Sequence, residues 1–246
     1  MSTVATWPTF VSKLRDRKEV AEQTIAFRFE KPSGWAFKAG QFIDMTLLDP
    51  SETDSEGNTR GFSIASGPHE ETLMVTTRIR DTAFKRVLNN VAIGTAVRIE
   101  GPFGDLTLPH NAGRTVVFLA GGIGVTPFRS MLVWAAREKL PHRIFLFYSN
   151  RRPEDAPFLG ELQMLERENP NSKLIATMTG MEKSHRPWNG ETGLINQEML
   201  ARHLKNAGSP IYYIAGPPAM VKGLHEMLNK TGVHDNDIRA EEFAGY

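Results

Sequence analysis

The sequence contains no cysteine among its 246 residues. This absence excludes disulfides, thiolate-ligated zinc sites, thiolate-bound iron–sulfur clusters and cysteine nucleophiles within the chain. Because proteins without disulfides are common in reducing compartments, we expect a cytoplasmic setting.

Charge of one sign and long apolar segments are also missing. Lys and Arg number 29 and Asp and Glu 28, which leaves a net charge of +1 and predicts no nucleic-acid partner. The longest apolar run, residues 115–125, holds three glycines and is far shorter than the ~20 residues that a membrane span needs. The first ten residues lack the pattern of a signal peptide. The seven histidines show no ligand spacing, so we expect no metal site.

The first 110 residues show short stretches in which apolar and polar residues alternate, as in half-buried strands. A polar segment at 49–59 is predicted to be a surface loop, and residues 83–89 to be a helix. Such a pattern predicts a small antiparallel β-barrel, which we expect to have six strands. The alternating stretches are residues 24–30, 42–47, 73–79 and 96–100.

After residue 110, buried strands alternate with helices, which predicts a parallel α/β sheet. Loop composition at 109–113 places the boundary between a β domain at 1–109 and a nucleotide-binding domain at 110–246. The predicted strands are 115–120, 144–148, 173–178 and 211–215, and the predicted helices are 127–139, 158–168, 197–206 and 219–230.

Two loops run from a buried strand into a helix, at 120–127 and at 214–220. Glycines in such loops let a ligand approach the backbone, and the helix N-terminus that follows favours an anion. A tight turn that packs helix on strand explains either loop alone. Two such loops at the carboxyl end of one sheet favour a nucleotide site.

A third string, residues 60–66, places a cation, an aromatic ring and hydroxyls close together. Arg60 can pair with a phosphate, Phe62 can stack on a planar ring, and Ser63 can hydrogen-bond a ring heteroatom. A barrel strand with a surface arginine is the alternative interpretation.

Together the three strings resemble the ferredoxin–NADP reductase superfamily, over nearly the whole chain. The resemblance implies an FAD-binding barrel followed by an NAD(P)-binding domain, with Phe62 against the flavin, Arg60 near the pyrophosphate and Ser63 near the reactive N5. Lys85 stands where the family often has serine. The implied FAD-binding residues are Arg60, Gly61, Phe62, Ser63, Thr76, Thr77, Arg78, Ile79, Ala83, Phe84 and Lys85.

The two strand-to-helix loops are similar to the family's nicotinamide-nucleotide loops. Ala215 stands where the family commonly has a cysteine, which we expect to change the rate or the nucleotide orientation without abolishing hydride transfer. The residues carried over are Gly121, Gly122, Gly124, Thr126, Pro127, Gly216, Pro217 and Met220.

The resemblance also implies an aromatic side chain near the C-terminus that covers the flavin. Phe243 is our choice and Tyr246 the competitor, with a solvent-exposed tail as the alternative. Glu241 would stabilise charge or relay a proton, so Ser63, Glu241 and Phe243 are the candidate catalytic residues.

The choice between NADH and NADPH depends on groups for a 2′-phosphate. Ser149 and Arg151 follow the second strand of the sheet and could hold it, whereas Gly180 after the next strand supplies no charge. Arg186, further along the same loop, could supply the missing charge instead. The pattern slightly favours NADH.

We therefore expect an FAD-containing NAD(P)H reductase whose electrons pass to an acceptor in trans: a ferredoxin, a flavodoxin, an oxygenase component or a small molecule. The alternatives are a flavin reductase that uses free flavin as substrate and a regulatory nucleotide-binding module. Lys85 and the segment 81–86 argue for a phosphate grip, and so for bound FAD.

Overall fold

The computed structural model describes residues 7–243. Its first sheet is antiparallel, with spatial order β4-β3-β6-β1-β2-β5. Beyond β4, the backbone N–H of Ala65 donates to the carbonyl of Met74 on β5 at 2.8 Å, which joins the two edge strands and closes the sheet into a barrel. The strands are β1 (Thr9–Ala21), β2 (Thr24–Glu30), β3 (Phe42–Leu47), β4 (Thr59–Ser63), β5 (Thr72–Arg78) and β6 (Ala96–Phe103).

Alternate residues of these strands form the barrel core. Phe27 and Phe29 on β2, and Ile43 and Met45 on β3, are fully buried, as the period of two along a strand requires. Helix α1 (Ala83–Asn90) follows β5 and adds its apolar face to the same core. The barrel core therefore includes the apolar side chains of α1, the helix that follows the predicted flavin-binding strand β5.

The second sheet is parallel, with order β10-β9-β8-β7-β11-β12, and four helices cover its faces. The chain leaves β7 for β8 on one side and places β11 on the other, so the sheet has a switch point between β7 and β11. The strands are β7 (Val116–Gly121), β8 (Ile144–Asn150), β9 (Ser172–Met178), β10 (Glu191–Thr192), β11 (Ile211–Gly216) and β12 (Ile238–Glu242), and the helices are α2 (Val125–Arg137), α3 (Leu159–Glu168), α4 (Gln197–His203) and α5 (Pro218–Lys230).

Strand β7 is apolar on both faces because helices cover both sides. Phe118 and Ala120 pack in the cluster that includes α2 and α3, whereas Val117 and Leu119 pack with α4 and α5. The continuous apolar run is therefore the mark of a doubly covered strand. Residues 104–115 connect the two sheets.

The predicted fold class is confirmed, and some elements differ locally from the prediction. Strand β1 is not among the predicted strands, because its charged second half (Arg15–Glu19) is largely exposed and lacks alternation. Helix α4 ends at His203, since Leu204 leaves helical geometry. Helix α2 begins at Val125, two residues before the predicted start.

The helices in residues 7–243 are each too short or too polar to cross a membrane. The same residues contain no group of three or more His, Cys, Asp or Glu side chains that could hold a metal ion.

Candidate functional site

The two glycine-rich loops lie side by side at the switch point. A Cβ on Gly124 would stand 2.2 Å from the Ala215 carbonyl oxygen, and one on Gly121 would stand 2.3 Å from the Met220 sulfur. A Cβ on Gly216 would meet the backbone of Gly121 at 3.2 Å. Gly124 and Gly216 are thus needed because the loops pack backbone against backbone there, whereas Gly121 faces the side chains of Pro217 and Met220. This packing keeps two helix N-termini at one edge of the sheet.

Gly122 differs from the other loop glycines, because its φ of +52° is a left-handed conformation that glycine adopts easily. It lies in the single turn of 3₁₀ helix that leads into α2. The hydroxyl of Thr126 donates to the Ile123 carbonyl at 3.0 Å, and Pro127 is buried in the first turn of the helix. Both residues therefore stabilise the shape of the loop.

On the barrel side, two hydroxyls are buried without partners. Ser63 at the end of β4 and Thr76 on β5 are 6% and 5% exposed, and neither side-chain oxygen has a hydrogen-bond partner among the described residues. An unpaired buried hydroxyl costs roughly 1–3 kcal/mol. The predicted flavin strands thus carry hydroxyls that a ligand with ring nitrogens and carbonyl oxygens would satisfy.

The other predicted flavin residues surround these hydroxyls to different degrees. Phe62 is half-buried and its ring lies 5.8 Å from that of Phe84. Phe84 itself is buried in the barrel core, so its side chain packs inside the protein. Gly61 is exposed and Thr77 buried, while Arg78 and Ile79 are half-buried at the end of β5.

Positive charge is concentrated where α1 begins. Burial lowers the pKa of the Lys85 ammonium. Three neighbouring guanidinium groups lower it further, those of Arg60, Arg78 and Arg80. Four cations this close together, at the N-terminus of a helix, suit a ligand with several negative charges.

Acidic side chains of the loop between β3 and β4 occupy part of this basic cluster. Asp54 lies 3.3 Å from an Arg60 nitrogen and accepts a hydrogen bond from the backbone N–H of Ala83 at 3.2 Å. Glu56 contacts Arg60 at 2.9 Å. The carboxylates therefore contact the groups that the family resemblance assigns to the FAD pyrophosphate.

The C-terminal strand brings Glu241 and Phe243 to the same edge. The backbone N–H of Phe243 donates to the Gly216 carbonyl at 3.0 Å, and its ring packs partly against the α2 face of the sheet. Burial, with a smaller contribution from Asp105, raises the pKa of Glu241 to about 7. Tyr246, the competing aromatic, lies outside the described residues.

Glu241 lies close to the barrel. One of its carboxylate oxygens is 3.9 Å from the position that a Cβ on Gly104 would take, beside the Phe42 ring. Phe42 pairs with Ser63 across β3 and β4. The protonatable carboxyl therefore lies next to the strand pair that carries the unpartnered Ser63 hydroxyl.

The groups predicted for a 2′-phosphate are only partly assembled. Arg151 lines a cavity of about 540 Å³ together with Thr179, Gly180 and Lys183. Arg186 lines a different cavity, beside the Glu154 side chain. Lys183 therefore shares a cavity with Arg151, which Arg186 does not. The sequence analysis did not select Lys183, although its position in the loop after β9 could have indicated a phosphate-binding role.

Two further features of the site were missed. Asn150, at the end of β8, is 6% exposed, and its amide oxygen and nitrogen have no partner among the described residues. Arg129 on α2 forms ion pairs with Glu70 and Glu161. No motif marks either role, because both depend on contacts between distant segments.

Comparisons with known proteins concern the fold and the α/β part of the chain. Residues 118–226 match the family model described as the oxidoreductase NAD-binding domain. The glycine betaine monooxygenase reductase subunit of Chromohalobacter salexigens is 27% identical over 98% of this chain and 66% of its own length. Reductase component 2 of the terephthalate 1,2-dioxygenase of a Comamonas species is 25% identical over 96% and 68%.

A similar solved structure is a ferredoxin NADP⁺ reductase from Neisseria gonorrhoeae with bound FAD and NADP. It superimposes with a TM-score of 0.78 at 22% identity, over 95% of this chain and 98% of the other. This likeness shows the fold of both domains. The chain spans about half to two thirds of the length of the curated relatives it matches.

Proposed function

Because this chain is ferredoxin–NADP reductase-like in fold and carries an oxidoreductase NAD-binding domain, we propose that it is an FAD-dependent NAD(P)H oxidoreductase that serves a separate electron acceptor. The chemistry that FAD supplies when bound is acceptance of a hydride from a reduced nicotinamide and release of its electrons to that acceptor. The protein's own part is to bind, orient and shield the reactants.

The residues of the barrel fit FAD. Ser63 and Thr76 offer buried hydroxyls without partners in residues 7–243, which suit the polar edge of a flavin ring. Phe62 offers a half-buried aromatic face, and Arg60 and Lys85 offer charge for the pyrophosphate. The two hydroxyls without partners in residues 7–243 are the observation that carries the proposal. Their burial costs free energy unless a ligand hydrogen-bonds to them.

The nucleotide loops would hold the nicotinamide substrate. The N-termini of α2 and α5 both lie at the switch point, where the positive ends of the two helix dipoles favour a pyrophosphate. Phe243 beside Gly216 would exclude water from the reacting atoms. Glu241, with its raised pKa, would hold a proton near neutral pH and so limit negative charge beside the flavin.

We propose NADH as the preferred reductant. Arg151 and Lys183 could bind a 2′-phosphate, but Gly180 supplies no side chain for it. Arg152, the neighbouring cation, is paired with Asp155 at 2.8 Å. Relative rates of reduction with NADH and NADPH at matched concentrations test this preference.

The acceptor belongs to the proposal as well. Relatives named as reductase components of a monooxygenase and a dioxygenase support an oxygenase component. A ferredoxin, a flavodoxin or a small molecule are the other acceptors. We place the reaction in the cytoplasm, because its reductant is an intracellular nucleotide.

The first test is an anaerobic visible spectrum of the purified protein, incubated with FAD and passed through a desalting column. We expect a flavin spectrum that is bleached by NADH faster than by NADPH. A protein that retains no flavin and accelerates no NADH oxidation with FAD present contradicts the proposal.

A second candidate, a reductase that releases its flavin after each turnover, is favoured by the acidic loop. Asp54 and Glu56 contact Arg60, so FAD must compete with carboxylates for the phosphate groups. Loss of flavin on the column, together with rapid NADH oxidation when free FAD is added, would identify this activity.

The variant Asp54→Asn tests the competition directly. Since it removes a negative charge from the basic cluster, FAD should bind about 2–5-fold more tightly, the range expected for one partly exposed charge pair. The matched control is Asp49→Asn, an exposed aspartate of the same loop. Equal FAD affinity for the two variants, measured by fluorescence titration, contradicts a competing role for Asp54.

A further inference from the structure

Arg129 is a buried cation that contacts both domains. It lies in the second turn of α2 and is 4% exposed. Its Nε and Nη2 atoms donate to the Glu161 carboxylate of α3, at 3.0 and 2.5 Å. Its Nη1 atom donates to the Ala65 carbonyl at 2.6 Å and to Glu70 at 3.1 Å, both in the barrel domain.

The next residue of the helix makes a second contact of the same kind. Ser130 is fully buried, and its hydroxyl donates to the Ser66 carbonyl at 2.6 Å. The Ser66 hydroxyl in turn accepts a hydrogen bond from the backbone N–H of Met74 on β5 at 3.0 Å. Two successive side chains of α2 therefore hold two successive carbonyls of the barrel.

Such a pair restrains more than one direction of movement. Successive residues of a helix point about 100° apart, so the two bonds limit both rotation and sliding of α2 on the barrel. Neither bond is solvent-exposed, since Arg129 and Ser130 are both buried. We call the contacts of these two residues with residues 65, 66, 70 and 161 the α2 clamp.

The surroundings of Arg129 show that its position is closely defined. Its guanidinium carbon lies 5.1 Å from the centre of the Phe158 ring. Phe158 has a φ of +61°, a left-handed conformation that is unfavourable for a bulky side chain. The backbone at Phe158 is therefore strained where its ring packs against Arg129. Strained residues of this kind are concentrated at functional positions.

The clamp is close in sequence to both halves of the site. Ala65 lies two residues beyond Ser63, and Arg129 lies five residues beyond Gly124. Five residues of helix measure about 7.5 Å along the axis. On the barrel side, the clamp residues come directly after β4. On the other side, they lie in the helix that begins directly after the glycine-rich loop.

We propose that Arg129 and Ser130 are positioning residues that set the distance and angle between the nicotinamide loops and the flavin strand. This inference rests on the proposed function. Hydride transfer requires the reacting atoms to approach to about 3–3.5 Å, and a misplacement of about 1 Å can cost about 10²-fold in rate. Neither residue touches the reactants in this role.

The test compares wild type with R129K, R129Q and S130A, and uses R137Q as the control, an exposed arginine at the end of the same helix. Flavin reduction by saturating NADH is followed by rapid mixing. We expect the limiting rate to fall about 10–100-fold in R129Q and less in R129K and S130A, by the distance dependence given above. The dissociation constants of FAD and NADH should change less than about 3-fold, because no binding group is lost.

A second readout needs no flavin. Small-angle X-ray scattering of the flavin-free proteins should give about 18 Å for wild type and R137Q, the radius of gyration of a compact chain of this length. R129Q should give a larger radius than R137Q, because loss of the contacts with Ala65 and Glu70 loosens α2 on the barrel. S130A keeps the inference testable if the Arg129 variants fail to fold.

The outcomes separate the two proposals. A wild-type protein that NADH does not reduce overturns the proposed function, while the scattering result still tests the clamp. Wild-type rates in R129Q and S130A overturn the positioning role. A loss of NADH affinity that equals the loss in rate also overturns it, because the residues would then act in binding alone.

Discussion

At the scale of single residues, the site depends on polar groups that the protein buries without pairing. Among residues 7–243, the side chains of Ser63 on β4, Thr76 on β5 and Asn150 at the end of β8 have buried polar atoms without hydrogen-bond partners. Each such group lowers the stability of the ligand-free protein, and a ligand that pairs with it recovers that free energy. A substantial part of the ligand's binding free energy should therefore come from hydrogen bonds to these few buried atoms.

Replacement of Ser63 by alanine should separate binding from stability. The hydroxyl has no partner to lose within the part of the chain that the structure describes, so the flavin-free variant should be as stable as wild type or slightly more so. FAD should bind about 2–10-fold more weakly, the equivalent of about 0.5–1.5 kcal/mol for one hydrogen bond. Thermal melts and fluorescence titrations measure the two effects, with Ser209→Ala as a control outside the site. Unchanged FAD affinity contradicts the assignment of Ser63.

Glu241 predicts a pH dependence with a defined sign. Its pKa is about 7 in the folded protein, raised from an ordinary value of 4.5. The folded state therefore holds a proton that the unfolded state releases, and stability falls as the pH rises between about 4.5 and 7. Below this window the stability contribution is complete.

Urea unfolding at pH 5 and pH 8 measures the effect. Glu241→Gln should be less sensitive to this change than wild type, by about 1–3 kcal/mol after allowance for partial exposure. Glu242→Gln, which alters the exposed neighbour, should behave as wild type. A difference of zero between Glu241→Gln and wild type contradicts the raised pKa.

At the scale of secondary-structure elements, the site is formed where two loops meet. The loops after β7 and β11 contact each other through glycine backbone, which brings the N-termini of α2 and α5 to one point. Neither loop forms the proposed nucleotide site alone. The contacts between the two loops fix the positions of the two helix N-termini relative to each other.

Gly124→Ala should therefore weaken the protein and the nucleotide site together. The added Cβ would stand 2.2 Å from the Ala215 carbonyl oxygen, so the loops must separate. We expect a loss of about 1–3 kcal/mol in the free energy of unfolding, as for other overpacked positions. NADH affinity should fall as well, measured by quenching of the nucleotide fluorescence.

The matched control is Gly223→Ala in α5, where a Cβ meets nothing within 4 Å. Because alanine favours helix more than glycine does, this variant should be up to about 1 kcal/mol more stable. Equal stability of the two variants would show that the loops are not in contact.

At the scale of the whole molecule, the proposed ligand site lies between the barrel and the parallel sheet, which residues 104–115 join and the α2 clamp holds together. Ligand binding to the folded state raises stability by mass action, by about 2.7 kcal/mol at 100 times the dissociation constant. For a chain of this size, that corresponds to about 5–10 °C in Tm.

FAD at this concentration should therefore shift one cooperative thermal transition of the entire chain. Riboflavin, which has no phosphate for the basic cluster at Arg60 and Lys85, should shift it less at equal concentration. Differential scanning calorimetry distinguishes one transition from two. A shift that affects only part of the unfolding enthalpy contradicts coupling between the domains.

Much of the architecture is predictable from local patterns. The apolar run of β7, the helical spacing of α2 and the alternation along β2 each reflect the burial of one segment, so each can be detected within a window of ten to fifteen residues. The charged second half of β1 has no such signal, because pairing with β2 holds it in the sheet.

The sequence by itself determined the class of the fold, the order of its two domains and the strings that carry the chemistry, because strand period, glycine position and residue type are properties of short segments. Only the tertiary structure decided that the Ser63 hydroxyl finds no partner among residues 7–243, that Asp54 lies against Arg60, and that Arg129 joins α2 to the barrel. Each of these facts depends on groups separated by many residues in the chain. Burial and pairing of that kind arise only when the chain has folded, and no window of sequence contains them.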